Sequence, residues 1–209
     1  MKKCELSNVI SFVSMALVIS LVSGCSTNSK IELSNSNLQG SSMGFSQDNS
    51  LINYDTSIRR VLVNDVHSKL RNLTIVYSKD FSNGYISQFL FSINGNNYEG
   101  DDFAIRKNKR WHIVNIAYGL INKKYPFTRM ELGGTYKKGN QYMIISGVIN
   151  NRSIAYIDLA YIDGLLVRVM KAKNSDGLYT YAYARTDSQI GVKYIYAYDN
   201  IGKKVYGIQ

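Results

Sequence analysis

Six tyrosines near the C-terminus form the most closely spaced group of residues that could recognise a ligand. They alternate with other residues along two predicted strands, at Tyr179, Tyr181, Tyr183, Tyr194, Tyr196 and Tyr198. Since neighbouring side chains of a strand point to opposite faces, each set of three shares one face. If the two strands pair, the six rings form a platform on which sugar rings or peptide chains stack. The alternative is cross-strand packing, which stabilises a sheet by about 0.2–1 kcal/mol per pair. The spacing favours cross-strand packing, with the binding platform as the alternative interpretation.

The densest group of carboxylates is Glu99, Asp101 and Asp102, which are separated only by Gly100. Three close carboxylates offer the oxygen ligands that a hard cation such as calcium prefers, but the ligand order of a calcium loop is missing. We therefore expect a solvated strand end that discourages pairing between sheet edges, with a metal site as the weaker alternative. No spacing among the 15 acidic residues selects a carboxylate pair for glycoside hydrolysis.

The sequence lacks the motifs of common enzyme classes. It has no glycine-rich nucleotide-binding motif, no metalloprotease motif and no EF-hand loop. The two histidines, His67 and His112, are the only imidazole bases, and no serine lies in a Gly-x-Ser-x-Gly elbow. Two cysteines, Cys4 and Cys25, exclude a disulfide scaffold and a zinc finger. We predict no catalytic residues, no enzymatic activity and no cofactor.

The only tryptophan, Trp111, lies in a predicted strand between Arg110 and His112. An indole in this position can stack on a ligand, but a single tryptophan in a strand more commonly packs in a core. We therefore predict that Trp111 is at least partly buried.

The N-terminus has the layout of an export signal. Residues 1–3 carry two lysines, residues 9–22 are mostly apolar, and small residues precede Cys25. The segment Leu21-Val22-Ser23-Gly24-Cys25 resembles the lipobox of bacterial lipoproteins, a resemblance that covers residues 1–25 only. It implies a signal peptide at 1–24 and a Cys25 sulfur that receives diacylglycerol, with acyl chains such as palmitate. The mature protein is then lipid-anchored on the extracytoplasmic side of the cell membrane. An ordinary signal peptide or an uncleaved N-terminal anchor is the alternative.

The rest of the chain divides into a tether and a β-rich part. Residues 25–53 are rich in Ser and Asn and predict a flexible tether that spans about 30 Å. A helix is predicted over 56–70, because Ile58, Leu62 and Val66 follow helical spacing and Asp55 can cap its start. The remaining alternation of apolar and polar residues predicts strands near 73–78, 85–93, 97–106, 110–118, 141–149, 154–162, 165–172, 178–185, 192–199 and 203–207.

The predicted fold class is mainly β (α+β). An amphipathic helix packs on an antiparallel sheet in a unit of residues 54–130, and an all-β, sandwich-like unit follows at 131–209. The boundary is suggested by a stretch with the only proline, Pro126, and several Gly and Lys residues. A single ten-stranded domain is the alternative.

The formal net charge of +10 comes from basic residues that are spread over several predicted turns. Spread charges and an export signal argue against nucleic acid as a partner. The basic residues either keep the protein soluble or attract anionic polymers of the envelope. The function we predict is a non-catalytic binding or accessory role at the cell envelope, with the membrane as one partner and an anionic polymer or a protein as another. The alternative is a cell-wall-modifying hydrolase that uses Asp and Glu residues.

Overall fold

The structure is a computed structural model that describes residues 31–34, 49–81, 84–137, 140–187 and 190–208. The predicted signal peptide at 1–24, the predicted lipidation site Cys25 and most of the predicted tether lie outside the described residues. Two stretches of the segment 25–53 are described. Ile31–Ser34 forms strand β1, and Asn49 begins helix α1.

The described chain is mainly β, as predicted, with a single helix among the described residues. Beside β1, its elements in chain order are α1 (Asn49–Val66), β2 (Leu70–Phe81), β3 (Gly84–Ile93), β4 (Asn96–Lys107), β5 (Arg110–Leu120), β6 (Met130–Lys137), β7 (Asn140–Ile149), β8 (Tyr156–Tyr161), β9 (Leu166–Met170), β10 (Ala172–Lys173), β11 (Tyr179–Asp187), β12 (Val192–Tyr198) and β13 (Lys204–Ile208).

Helix α1 begins earlier and ends sooner than its sequence pattern predicts. It starts at Asn49, so Asp55 lies inside the helix and does not cap it. It ends at Val66 because His67 adopts a positive φ of 49° while its N–H still bonds to the Val63 carbonyl at 3.1 Å. A left-handed residue directly after a helix is a common way of ending it. Leu70, which the pattern assigns to the helix, begins β2 instead.

The first sheet has the order β2-β3-β4-β5 and is antiparallel throughout. Tight turns join its last three strands, and the positive φ of Asn94 and Gly95 shows why this dipeptide suits the β3–β4 turn. Helix α1 covers one face of this sheet. Its fully buried Ile58 and Leu62 pack against a cluster that includes Phe89 of β3.

Two more sheets complete the molecule. The second sheet has the order β10-β11-β7-β6, and the third has the order β1-β9-β8-β12-β13. All pairings within them are antiparallel except that of β1 with β9, which is parallel.

The second sheet lies between the other two and is buried on both faces. Ile144 and its neighbours pack with Ile86 and Phe103 of the first sheet. Ile145, on the opposite face, belongs to a larger cluster with Ile157 of the third sheet. The layers therefore follow the order α1, first sheet, second sheet, third sheet.

The three sheets draw on different parts of the sequence. Residues 70–120 supply the first sheet, whereas the second and third sheets are built from strands within 130–208 and from β1. The division into domains at 54–130 and 131–209 stays a prediction.

Candidate functional site

The six predicted tyrosines do not form one patch. Strand β11, with Tyr179, Tyr181 and Tyr183, belongs to the second sheet and pairs with β7 and β10. Strand β12, with the other three, belongs to the third sheet and pairs with β8 and β13. The two strands therefore do not pair with each other, because β11 lies between β10 and β7 in one sheet and β12 lies between β8 and β13 in another.

The tyrosines of β11 are packing residues. The Tyr181 side chain is buried between the second and third sheets, and its hydroxyl donates to the Thr128 carbonyl at 2.8 Å. Tyr179 and Tyr183 are partly buried and pack against the same cluster. A ligand cannot reach Tyr181 in this arrangement, so these three rings do not form the predicted platform.

The tyrosines of β12 lie on the outer face of the third sheet. Ile195 and Ala197 are buried in the core, and so the alternating Tyr194, Tyr196 and Tyr198 point to the other side. Tyr156 of β8 joins them, because it lies opposite Tyr198 in the strand register. We call these four residues, together with Arg168 and Lys204, the tyrosine face.

The rings of the tyrosine face are stacked in two pairs. The ring centres of Tyr194 and Tyr196 are 4.5 Å apart, and those of Tyr156 and Tyr198 are 5.1 Å apart, with planes within 22° of parallel. All four residues are partly exposed. Stacked rings lose little conformational freedom when a ligand binds, and their faces suit sugar rings and planar groups.

Two cations lie over these rings. The Arg168 guanidinium is 4.0 Å from the Tyr156 ring centre, and the Lys204 ammonium is 3.3 Å from that of Tyr196. Arg168 is also oriented by a two-point bond to the Asp158 carboxylate, at 2.9 and 3.0 Å. Asp158 offsets the charge of Arg168, so the tyrosine face combines aromatic surface with the positive charge of Lys204. This combination suits a ligand that carries both rings and anionic groups.

The three clustered carboxylates are buried, so the expectation of a solvated strand end is wrong. Glu99 is 2% exposed, and Asp101 and Asp102 are fully buried. They lie in β4, an inner strand of the first sheet that pairs with β3 and β5. Charged residues are rarely buried unless they are paired, and nothing in the local sequence marks these three as exceptions.

Asp102 points toward α1, where it receives hydrogen bonds from two hydroxyl groups. The Tyr54 hydroxyl oxygen is 2.7 and 2.8 Å from the two carboxylate oxygens, and the Ser87 hydroxyl donates to Oδ1. Burial raises the pKa of Asp102 to about 7, although these hydrogen bonds act in the opposite direction. The carboxyl thus attaches the N-terminal half of α1, through Tyr54, to the middle of the first sheet.

Glu99 and Asp101 point toward the second sheet. The Ser146 hydroxyl donates to Asp101 at 2.7 Å, and Gln88 lies opposite Asp101 in the strand register. One buried oxygen of each of Glu99, Asp101 and Gln88 has no hydrogen-bond partner. Burial raises the pKa of Glu99 to about 7 and that of Asp101 well above its usual range, with the charge of Glu99 adding to the effect on Asp101. A proton on Glu99 or Asp101 adds a hydrogen-bond donor next to these three acceptor oxygens. The structure therefore favours the protonated form of these two acids.

The three acids do not converge on one point, because Asp102 lies on the opposite face of β4 from the other two. Within the described ranges, no group of three or more His, Cys, Asp or Glu residues is arranged to hold a metal ion. The cluster, as the structure has it, is a set of hydrogen-bonded groups in the interior. Buried Tyr54, Ser87 and Ser146 are the partners that sequence analysis missed.

The remaining predicted residues are placed as follows. Trp111 is partly buried, which confirms its prediction, and it packs against Tyr54 and Tyr85. His67 and His112 are exposed. Within the part of the chain that the structure describes, no helix has the length and apolar character to cross a membrane.

Comparisons with protein-family models, with curated proteins and with solved structures find no match to this chain.

Proposed function

We propose that the protein is an exported bacterial lipoprotein with a non-catalytic binding role at the cell envelope. The tyrosine face is the observation that carries this proposal. It presents partly exposed, stacked rings and two cations on the outer surface of a sheet whose opposite face packs in the largest hydrophobic cluster. The lipobox-like residues 21–25 support the anchor and the extracytoplasmic location. The ligand class we favour is an anionic, sugar-containing polymer of the envelope, and a protein partner is the alternative occupant.

We also propose how the three sheets divide into two units. We infer a helix-covered sheet, followed by a sandwich of the second and third sheets around the largest hydrophobic cluster. In this arrangement the sandwich presents the tyrosine face, and its strand β1 is the described element that lies nearest in sequence to the anchor.

The position of the acidic cluster favours binding over hydrolysis. A cell-wall hydrolase that cleaves glycosidic bonds with Asp and Glu residues needs two carboxyl groups about 5–9.5 Å apart in an open cleft. Glu99, Asp101 and Asp102 instead lie within the interior of the molecule, with at most 2% of their surface exposed.

The test is co-sedimentation of the protein with isolated cell-wall polymer, comparing Tyr194→Ala/Tyr198→Ala with the unchanged chain. Loss of two aromatic contacts, each contributing about 0.5–1.5 kcal/mol, weakens binding by about 5- to 150-fold. Tyr125→Ala is the matched control, because Tyr125 is 52% exposed and lies in the loop between β5 and β6. Equal binding by the double variant and the unchanged chain would overturn the role of the tyrosine face.

A further inference from the structure

A pocket lies between one end of the first sheet and the turn that joins β10 to β11. Its volume is about 360 Å³, within the range of small-ligand sites. The first sheet contributes Asn72 of β2, Ser92 of β3 and Asn97 of β4 to the lining, and the turn contributes Asp176 and Leu178. The pocket therefore lies where the first and second sheets meet, on different elements from the tyrosine face.

The buried lining residues of this pocket are apolar. Leu90 and Ile121 line it and are only 4% and 8% exposed. Together with the partly buried Leu178 they pack in a cluster around Val148 of β7. Packing fixes these side chains in place, so they offer a preformed apolar surface to the hydrocarbon part of a ligand.

The polar lining residues include one with an unusual backbone conformation. Asn72 has a φ of 52°, in the left-handed region that is uncommon for residues other than glycine. It lies where the register between β2 and β3 shifts, between Arg71 and Thr74. Such bulges redirect a side chain and are common next to functional sites. Ser92 and Asn97 lie opposite each other in the β3–β4 register, so regular strand pairing sets their positions.

Asp176 is presented by a turn that its carboxylate does not stabilise. The Asn174 carbonyl accepts a hydrogen bond from the Gly177 N–H at 3.1 Å, and the Asn174 side chain accepts one from the Leu178 N–H at 2.8 Å. Within the described ranges, Asp176 forms no salt bridge, not even with Lys173 in the same turn. Its exposed carboxylate is therefore available to a ligand.

The charge of the pocket is negative although the chain is basic. Of the described residues that line it, only Asp176 is charged, whereas the whole chain has 25 basic and 15 acidic residues. A carboxylate without a basic partner repels anions and forms hydrogen bonds with a cationic group that are about twice as strong as neutral ones. The amide oxygens of Asn72 and Asn97 are further acceptors. The lining thus suits a molecule with an ammonium group at one end and a hydrocarbon body at the other.

We propose that this pocket binds a small organic ammonium ion, with the charged group at Asp176 and the hydrocarbon body against Leu90 and Ile121. The site involves neither the tyrosine face nor Cys25. Its test is therefore independent of the binding role at the envelope, and failure of one leaves the other standing.

Benzylammonium is a suitable probe, because it joins an ammonium group to an apolar ring. Benzyl alcohol has the same ring without the charge, and benzoate has the opposite charge. Titration of the full-length protein in neutral detergent micelles, followed by NMR of its backbone amides, gives a dissociation constant for each compound. We expect benzylammonium to bind about tenfold more tightly than benzyl alcohol, and benzoate to bind most weakly. The amide of Gly177 should shift on binding, whereas that of Gly202 in the β12–β13 turn should not.

Two variants with equal loss of charge test the role of Asp176. Asp176→Asn should weaken binding of benzylammonium about tenfold and leave binding of benzyl alcohol unchanged, because Asn174 still holds the turn. Asp80→Asn is the matched control, since Asp80 is exposed and lies at the other end of β2 from Asn72. It should bind all three compounds as the unchanged chain does.

Four results would overturn the proposal. The first two are equal affinities for benzylammonium and benzyl alcohol, and tighter binding of benzoate than of benzylammonium. The third is an equal loss of affinity in the Asp80→Asn control, which would assign the effect to the charge of the whole chain. The fourth is a Gly177 amide that does not shift, which would place the ligand outside the pocket.

Discussion

At the scale of single residues, the most informative feature is the group of buried acids in β4. Carboxylate side chains are exposed to solvent in most proteins. Here Asp102 is buried between α1 and the first sheet, and Glu99 and Asp101 are buried between the first and second sheets. One oxygen of Glu99 lacks a partner, although Thr128 and the Val148 backbone bond to the carboxyl. A buried acceptor without a donor costs about 1–3 kcal/mol of stability.

The acids therefore make stability depend on pH. The pKa values of Glu99 and Asp102, about 7 in the folded chain, are higher than the value of about 4 that such groups have in an unfolded chain. Between these two values the folded state keeps protons that the unfolded state has lost. The contribution of these acids to the free energy of unfolding is thus greatest below about pH 4, and it falls as the pH rises toward about 7.

Glu99→Gln tests this dependence. The amide keeps one acceptor and adds a permanent donor, so we expect the free energy of unfolding at pH 8 to rise by about 1–3 kcal/mol. We also expect it to fall less between pH 4 and pH 7 in the variant. Urea unfolding at several pH values measures both effects. Glu131→Gln, at an exposed glutamate of β6, is the control and should change stability by less than about 0.5 kcal/mol. A Glu99→Gln variant with the unchanged pH profile would contradict the argument.

At the scale of elements, helix α1 closes the core of the first sheet. Leu62 and Ile58 have no exposed surface and lie in the cluster that also contains Phe89. The neighbouring Val63 is 41% exposed, so two adjacent apolar residues have opposite roles. The difference follows from the helical period, which turns Leu62 toward the sheet and Val63 away from it.

Leu62→Ala is expected to lower the free energy of unfolding by about 2–5 kcal/mol, because it removes buried carbons and leaves a cavity. Val63→Ala provides a matched control within the same turn and should cost less than about 0.5 kcal/mol. Denaturant unfolding of both variants measures the difference. Equal small losses would show that α1 is peripheral to the fold.

The elements also show why sequence predicts one part of this structure and not another. Alternation along β12 and the dipeptide Asn94-Gly95 are local, so the mainly β content and the turn follow from the sequence. Strand partners depend on distant residues. Strand β7 pairs with β11 across the whole β8–β9 hairpin, and the Tyr181 side chain of β11 is buried between the second and third sheets. The sheet that covers Glu99 and Asp101 is also supplied by a distant segment of the chain. The local sequence around β4 therefore predicts solvated acids although the structure buries them.

At the scale of the whole molecule, the order of layers places α1 and the third sheet on opposite sides. The tyrosine face lies on the third sheet. Strand β1 begins six residues after Cys25 and pairs with β9 of this same sheet. A lipid anchor at Cys25 would therefore lead first into the third sheet, at the edge opposite β13.

The anchor predicts a covalent change at Cys25. A single acyl chain gives marginal membrane binding, whereas two chains bind durably because each buried CH₂ contributes about 0.8 kcal/mol. Cys25→Ala should therefore prevent diacylglyceryl transfer and move the protein from the membrane fraction to the soluble extracytoplasmic fraction. Cys4→Ala is the matched control, because Cys4 lies in the predicted signal peptide and its loss should leave membrane association intact. Mass spectrometry of the mature N-terminus decides between the alternatives. A diacylglyceryl group on Cys25 as the first residue is the expected result, and an unmodified Cys25, or cleavage at another position, contradicts the lipid anchor while leaving the folded part as described.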